Sequence, residues 1–363
     1  MHRVQYNSPN RLIAGSRLPV RVNLSFGLEM LKAVGRESAK VKRLLSAETR
    51  PDLMMDLSVE RADREPWQVA RELFDGPLGL LPHYLLFSSS DGLDAEGLLA
   101  RIESVFKLGI NFITIHCTPT LALFEKAKRE RLTPITSRGG GIVVRDMLIN
   151  GRSRSLFVQI FDDICGIAAH YGGVINLGTA FRAASVADGL DAIVREEIAI
   201  QAQFVHRARE LGAQVVLEGP GHIRLSELSD YWTLIAPLKV TPMPLGPIVS
   251  DRFSGMDHVS SAIGAARFMS LSRGGIINAV TAAEHLGGVP NLRQMEEGLR
   301  AAQVAAQAAS LDFDDAAFEA EAEISQRRAN LESCVLQTQT AGCSRCQRLC
   351  PLISASYSCE ARN

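Results

Sequence analysis

The stretch Gly342-Cys343-Ser344-Arg345-Cys346-Gln347-Arg348-Leu349-Cys350-Pro351 sets three thiols close together, separated by two and then three residues, just before a proline. Thiols at such spacing can hold zinc, pair as disulfides, or grip an iron–sulfur cluster. A four-thiolate zinc site usually draws on two C-x2-C knuckles. Here there is one knuckle and one further close cysteine, and Cys334 or Cys359 could complete the set. The run C-x2-C-x3-C-P also overlaps the end of the bacterial ferredoxin signature, without its leading cysteine. Three thiolates would leave one iron of a [4Fe–4S] cluster open to a substrate or a chelating cofactor. Cys117 and Cys165 stand far apart in the body of the chain, which is not the pattern of a small disulfide-framed secreted domain. In a reducing compartment the terminal thiols read first as a metal site.

The rest of the chain must position them. From Val20 to Val280, short apolar and β-branched runs ending in Gly, Ser, His or Pro alternate with stretches rich in Ala, Leu, Glu and Arg. The runs begin at Val20, Leu53, Gly79, Asn111, Pro134, Gly173, Ala213, Lys239 and Gly274. Their spacing of roughly thirty residues is the length of a strand–helix unit with a right-handed crossover. Eight such units close a (β/α)8 TIM barrel of the α/β class, and nine candidates are present, so one either is not a strand or lies outside the barrel. In a parallel barrel the C-terminal ends of the strands share one rim, which would gather Ser25, Asp56, His116, Arg138, Thr179, Glu218 and His222. After Pro290, residues 295–311 and 314–333 carry helical spacing and strong helix formers, predicting a C-terminal helical hairpin that bears the cysteine tail. The expected division is an N-terminal segment 1–19, a barrel 20–290, a helical extension 291–335 and a cluster tail 336–363.

A net charge of −1 without any Lys/Arg run gives no electrostatic footprint for nucleic acid or an anionic membrane. No stretch approaches the roughly 18 apolar residues of a membrane helix. The N-terminal segment has no apolar core of signal-peptide length, so the expected location is cytoplasmic.

The most specific stretch is Glu218-Gly219-Pro220-Gly221-His222, followed by Leu245-Gly246-Pro247-Ile248-Val249-Ser250-Asp251, then Met256-Asp257-His258, and Glu284-His285-Leu286-Gly287. Upstream stand RVN (from Arg21), MDLS (from Met55), P-x-Y (Pro82, Tyr84), FITIH (from Phe112) and SRGG (from Ser137). In this collinear order the chain resembles the thiamine pyrimidine synthase (phosphomethylpyrimidine synthase) family, an atypical branch of the radical S-adenosylmethionine enzymes. The resemblance implies a (β/α)8 barrel with a helical extension and a homodimer whose cluster tails reach the partner's site. It implies reductive cleavage of S-adenosylmethionine to a 5′-deoxyadenosyl radical that rearranges an imidazole ribotide into the thiamine pyrimidine. An electron donor of flavodoxin or ferredoxin type is implied as well.

By the same resemblance, Cys343, Cys346 and Cys350 would ligate a [4Fe–4S] cluster, and His222 and His285 would hold one Zn2+ or Fe2+. Glu218 would be catalytic and touch substrate. The substrate shell would comprise Ser25, Met55, Tyr84, His116, Ser137, Arg138, Gly139, Thr179, Arg182, Glu218 and Met243, with the Ser137-Arg138-Gly139 turn suited to a phosphate. The chain departs from the family at four places. The third cysteine follows after three residues where the family usually has four; Ser25 replaces asparagine, Thr179 an aspartate, and Met243 a tyrosine. Losing a buried hydrogen-bond partner costs about 1–3 kcal/mol, so such changes suit a paralogue with a different, related product, for example 5-hydroxybenzimidazole. A non-enzymatic iron–sulfur or zinc-binding regulator on a retired barrel is the alternative from another class.

Overall fold

The computed structural model describes residues 3–47, 49–330, 334, 346 and 349–351. It forms two compact units, Met1–Phe313 and Asp314–Asn363. The first begins with an antiparallel hairpin, β1 (Arg3–Gln5) and β2 (Ile13–Gly15). Then come β3 (Arg21–Phe26), β4 (Leu53–Asp56), β5 (Leu78–Leu80), β6 (Phe112–Ile115), β7 (Val174–Leu177), β8 (Gln214–Leu217), β9 (Thr241–Pro242) and β10 (Ile276–Asn278). These eight make one parallel sheet in the order β10-β3-β4-β5-β6-β7-β8-β9, the (β/α)8 barrel. Strands β4, β6 and β7 are buried along their whole length, as continuous aliphatic runs require when both faces are covered.

Helices α1 (Val34–Ser46), α2 (Pro66–Arg71), α3 (Ala95–Lys107), α4 (Leu121–Glu130), α5 (Arg138–Ile149), α6 (Leu156–Gln159) and α7 (Phe161–Tyr171) separate the first strands. They are followed by α8 (Ala192–Glu210), α9 (Leu228–Ile235), α10 (Asp257–Ser272), α11 (Leu292–Ser310) and, in the second unit, α12 (Asp315–Asn330). The two helices expected after Pro290 are both present. Helix α11 packs on α10 and β3, and Ser310 Oγ accepts a 3.0 Å bond from the Val20 amide, so the barrel unit runs on to Phe313.

The ninth candidate run, Pro134 to Gly141, is not a strand. Ser137 caps α5 by accepting from the Gly140 amide, and three successive glycines there favour a tight entry into a helix over a pleated strand. Alternation along the true strands sorts the side chains. Val22, Leu24, Met54, Ile113, Ile175, Leu217 and Ile277 face the helices. Leu53, Phe112, Val174 and Ile276 fill the barrel interior together with Val4, Tyr6, Leu12 and Ala14, by which the hairpin stoppers the N-terminal end. Gly79 is needed beside them, since a Cβ there would lie 2.2 Å from the Phe112 ring.

One layer higher the interior turns polar. Asn23 Nδ2 donates to Asn278 Oδ1 (2.7 Å), and Asn176 Nδ2 donates to Thr114 Oγ1 (3.0 Å). Asn278 also closes the barrel. Its backbone amide donates to the Pro244 carbonyl (3.1 Å) and its Nδ2 to the Met243 carbonyl (2.9 Å), linking β10 to the chain beyond β9. Among the described residues no helix is long and apolar enough to cross a membrane. Replacing Asn278 with Ala removes two buried side-chain bonds and strands their partners; a loss of about 2–4 kcal/mol is expected in urea unfolding.

Candidate active site

A cavity of about 620 Å³ opens at the C-terminal ends of the barrel strands. It is lined by Ser25 on β3, Met55 on β4, Tyr84 after β5, His116 after β6, Ser137 and Arg138 at the start of α5, Arg182 after β7 and Glu218 after β8. Most of the substrate shell expected from sequence is thus brought to one chamber. Three of its members lie off the chamber wall. Gly139 makes room: a Cβ there would sit 2.3 Å from His116 Cε1, and one at Gly178 would sit 2.7 Å from His116 Nε2. The imidazole is clamped between two glycines. Met243 is fully buried in the barrel interior. Thr179 turns to Glu218, giving Oε2 a 2.7 Å bond from its amide and a 3.1 Å bond from its hydroxyl.

Burial dictates the charge of the floor. His116 is held well below the usual imidazole range by desolvation, helped by neighbouring His83 and Arg182, and is therefore neutral. Ser137 Oγ lies 3.1 Å from its Nε2 and accepts from the Gly140 amide, leaving the hydroxyl proton to offer the ring. His83, likewise desolvated, is pushed down to about 3 and stacks edge-on to His116, ring centres 5.6 Å apart. Burial drives the Tyr84 phenol upward, so it stays a donor. Asp56, expected on the rim, instead accepts from Ser58 and the Trp67 amide and ties β4 to α2.

Beside the chamber, on the loops that carry Glu218 and Glu284, the rings of His222 and His285 approach to 5.0 Å. His222 Nδ1 lies 2.6 Å from Asp251 Oδ1 and His285 Nδ1 lies 3.0 Å from Asp257 Oδ1. A carboxylate on each Nδ1 fixes the tautomer and leaves both Nε2 atoms as possible ligands, the usual support of a histidine-held metal. The donor set fits a divalent zinc or iron, with open positions for other ligands. Among the described residues no group of three or more Cys, His, Asp or Glu side chains is arranged to hold a metal ion. Of the cluster thiols, Cys346 is exposed and Cys350 buried, while Cys343 lies outside the described residues.

The model of the radical SAM ThiC family matches residues 2–352. The chain belongs to that family. It is 34% identical over 308 residues to the 5-hydroxybenzimidazole synthase BzaA of Moorella thermoacetica, covering 82% of this chain and 70% of that protein. It is 35% identical over 312 residues to a phosphomethylpyrimidine synthase of Ignicoccus hospitalis, covering 82% and 69%, and 32% identical over 340 residues to a 5-hydroxybenzimidazole synthase of Geobacter sulfurreducens, covering 90% and 77%. Membership in a radical SAM family implies S-adenosylmethionine and an iron–sulfur cluster.

Several residues that shape the candidate site of this ThiC-family chain escaped the motif reading. Asp251 and Asp257 lie inside the quoted family-like stretches, yet only the fold shows that each meets an imidazole. Glu197 on α8 is buried beneath the loop after β7. Its Oε1 accepts from Thr118 Oγ1 (2.6 Å), the Ala180 amide (2.7 Å) and the Phe181 amide (3.1 Å), holding the turn that presents Thr179 and Arg182. Its helical position amid apolar neighbours was the one available signal.

Desolvation lifts Glu197 from 4.5 to about 7. Between those values the folded state holds the proton that the unfolded state has lost, so stability present at low pH is lost as pH rises to about 7. Glu197→Gln keeps the accepting Oε1 and should flatten this slope in pH-dependent thermal melts. Asp56, lifted by burial from 3.8 to about 6, adds a slope of the same sign within that lower pH window.

Proposed function

We propose that this chain is a radical S-adenosylmethionine enzyme that rearranges an imidazole ribotide, 5-aminoimidazole ribotide or a close analogue, as in synthesis of the thiamine pyrimidine. What supports this most is the single chamber in which Glu218, Tyr84, His116, Arg138 and Arg182 converge beside the His222–His285 pair. When bound, a reduced [4Fe–4S] cluster would supply the electron that cleaves S-adenosylmethionine, replenished by a donor of flavodoxin or ferredoxin type. Cys343, Cys346 and Cys350 would hold it, in a homodimer with exchanged tails.

The chain's own residues do the rest. Glu218, anchored by Thr179 and 3.9 Å from Arg182, accepts a hydrogen bond from a substrate amino group or takes its proton. Neutral His116 and protonated Tyr84 bond polar edges of the base without adding charge to the chamber. Arg138 and the α5 turn take the phosphate. His222 and His285 would hold a divalent zinc or iron, which would supply open coordination positions for a ligand.

A second reading, formation of 5-hydroxybenzimidazole from the same ribotide, is favoured by the names of the Moorella and Geobacter relatives, which match as well as the phosphomethylpyrimidine synthase does. The retired-barrel regulator is disfavoured by the intact Glu218, His222 and His285 arrangement.

Reduced, anaerobically reconstituted protein is expected to form 5′-deoxyadenosine with 5-aminoimidazole ribotide, the product then separating the two readings by mass. Cys346→Ala should lose cluster absorbance and 5′-deoxyadenosine together; no 5′-deoxyadenosine with any imidazole ribotide sinks the proposal. Independently, Asp251→Ala should weaken Zn2+ binding about 10–100-fold in competition with a chromogenic chelator.

A further inference from the structure

Among the described residues three cations line the chamber, and each already has an acceptor from this chain. Lys40 Nζ is 2.5 Å from Glu37 and donates to the Pro290 carbonyl at 2.8 Å. Arg182 donates to the Thr179 carbonyl at 3.1 Å and faces Glu218. Arg138 donates from Nη1 to Glu29 Oε1 at 2.8 Å, its guanidinium 5.9 Å from the centre of the Tyr84 ring.

The last pair differs from the others. Lys40 with Glu37 is buried, and Arg182 is tied to backbone, whereas Arg138 and Glu29 are 49% and 31% exposed. An ion pair in that much water is weak and exchanges readily. Glu29 itself has little room to withdraw. Leu28 before it is fully buried; its amide donates to Ser58 Oγ (2.8 Å) and its carbonyl accepts from the Val59 amide (3.0 Å). Gly27 presses against the backbone of Leu57 and Ser58, leaving no space for a Cβ. A carboxylate released from Arg138 therefore stays close to whatever replaces it.

We propose that Glu29 is a specificity-determining residue: it occupies Arg138 in place of a ligand anion, and a phosphate reaches that guanidinium only by displacing it and then bearing its charge nearby. This rests on the reading that Arg138 and the α5 turn receive the phosphate. The consequence is selection by charge. A phosphate dianion is penalised relative to the same ligand with an uncharged group, and the chamber keeps only phosphorylated ligands whose base makes good contacts elsewhere.

The test is calorimetric titration of ribose 5-phosphate into wild type, Glu29→Gln and Glu29→Asp at low ionic strength, with melting temperatures to confirm folding. Glu29→Gln should bind about tenfold more tightly than wild type, and Glu29→Asp, which keeps the charge, close to wild type. The gap should shrink at about 0.5 M salt. Equal or weaker binding by folded Glu29→Gln, or no binding by any of the three proteins, overturns the assignment. Tighter binding by Glu29→Gln combined with no 5′-deoxyadenosine from any imidazole ribotide would leave Glu29 in its role and remove the reaction instead.

Discussion

The barrel is held shut at a pair of strands that cannot pair well. Strand β9 has two residues, and Pro242, Pro244 and Pro247 withhold the amides a parallel ladder would use. Asn278 supplies what the backbone lacks, reaching Met243 on one side and Asn23 on the other. Beyond it, the loops continue the pairing irregularly: the Ile223 amide donates to the Ile248 carbonyl (3.0 Å) and the Ile248 amide to the Gly221 carbonyl (3.1 Å). That lateral zip brings Asp251 onto His222. The chain then enters α10, whose first residue, Asp257, meets His285 from the next loop. The imidazole pair is a product of this closure.

Above the seam the chamber is graded in charge. Its floor is so desolvated that His83 and His116 cannot hold a proton and the Tyr84 phenol cannot lose one. Its walls carry full charges, and the cations Lys40, Arg138 and Arg182 each sit beside a carboxylate of the chain. A ligand entering such a chamber meets hydrogen-bond donors and acceptors at the bottom and must exchange ion pairs at the side. The proposed binding of a heteroaromatic base by neutral groups, and of an anion by exchange, is consistent with that gradient. The glycines at 139 and 178 serve the same end, letting an imidazole sit where any side chain would push it out of register.

Much of this could be read from the chain. Strands buried on both faces announce themselves as continuous aliphatic runs, and a repeat of strand plus helix leaves few topologies. Glu218, His222 and His285 were visible because they lie in short, collinear motifs. The rim residues that turned out otherwise had ambiguous local signals. Pro134 to Gly141 begins like a strand, and only the Ser137 cap reveals a helix start. Asp56 ends a strand, as a catalytic acid would, but is spent on Ser58 and Trp67. The three-residue strands of the N-terminal hairpin are too short to show a period. Asp251, Asp257, Glu197 and Glu29 are ordinary polar residues until the fold sets a partner opposite each one.

The departures from the family pattern acquire a direction once placed. At 179 the family's aspartate would set a second carboxylate beside Glu218, where threonine instead donates twice to it. The change steadies the Glu218 carboxylate with two donors where the family's residue would crowd it with a like charge. Met243 sinks its side chain into the interior, while its carbonyl accepts from Asn278 and its amide donates to the Leu217 carbonyl (2.7 Å). Ser25 remains on the wall with a shorter side chain. None of the three is hydrogen-bonded to the His222–Asp251 or His285–Asp257 pair. Substitutions that leave the histidine frame undisturbed can change what the chamber accepts without dismantling the imidazole pair, which is the pattern expected of divergence in substrate or product within one kind of chemistry.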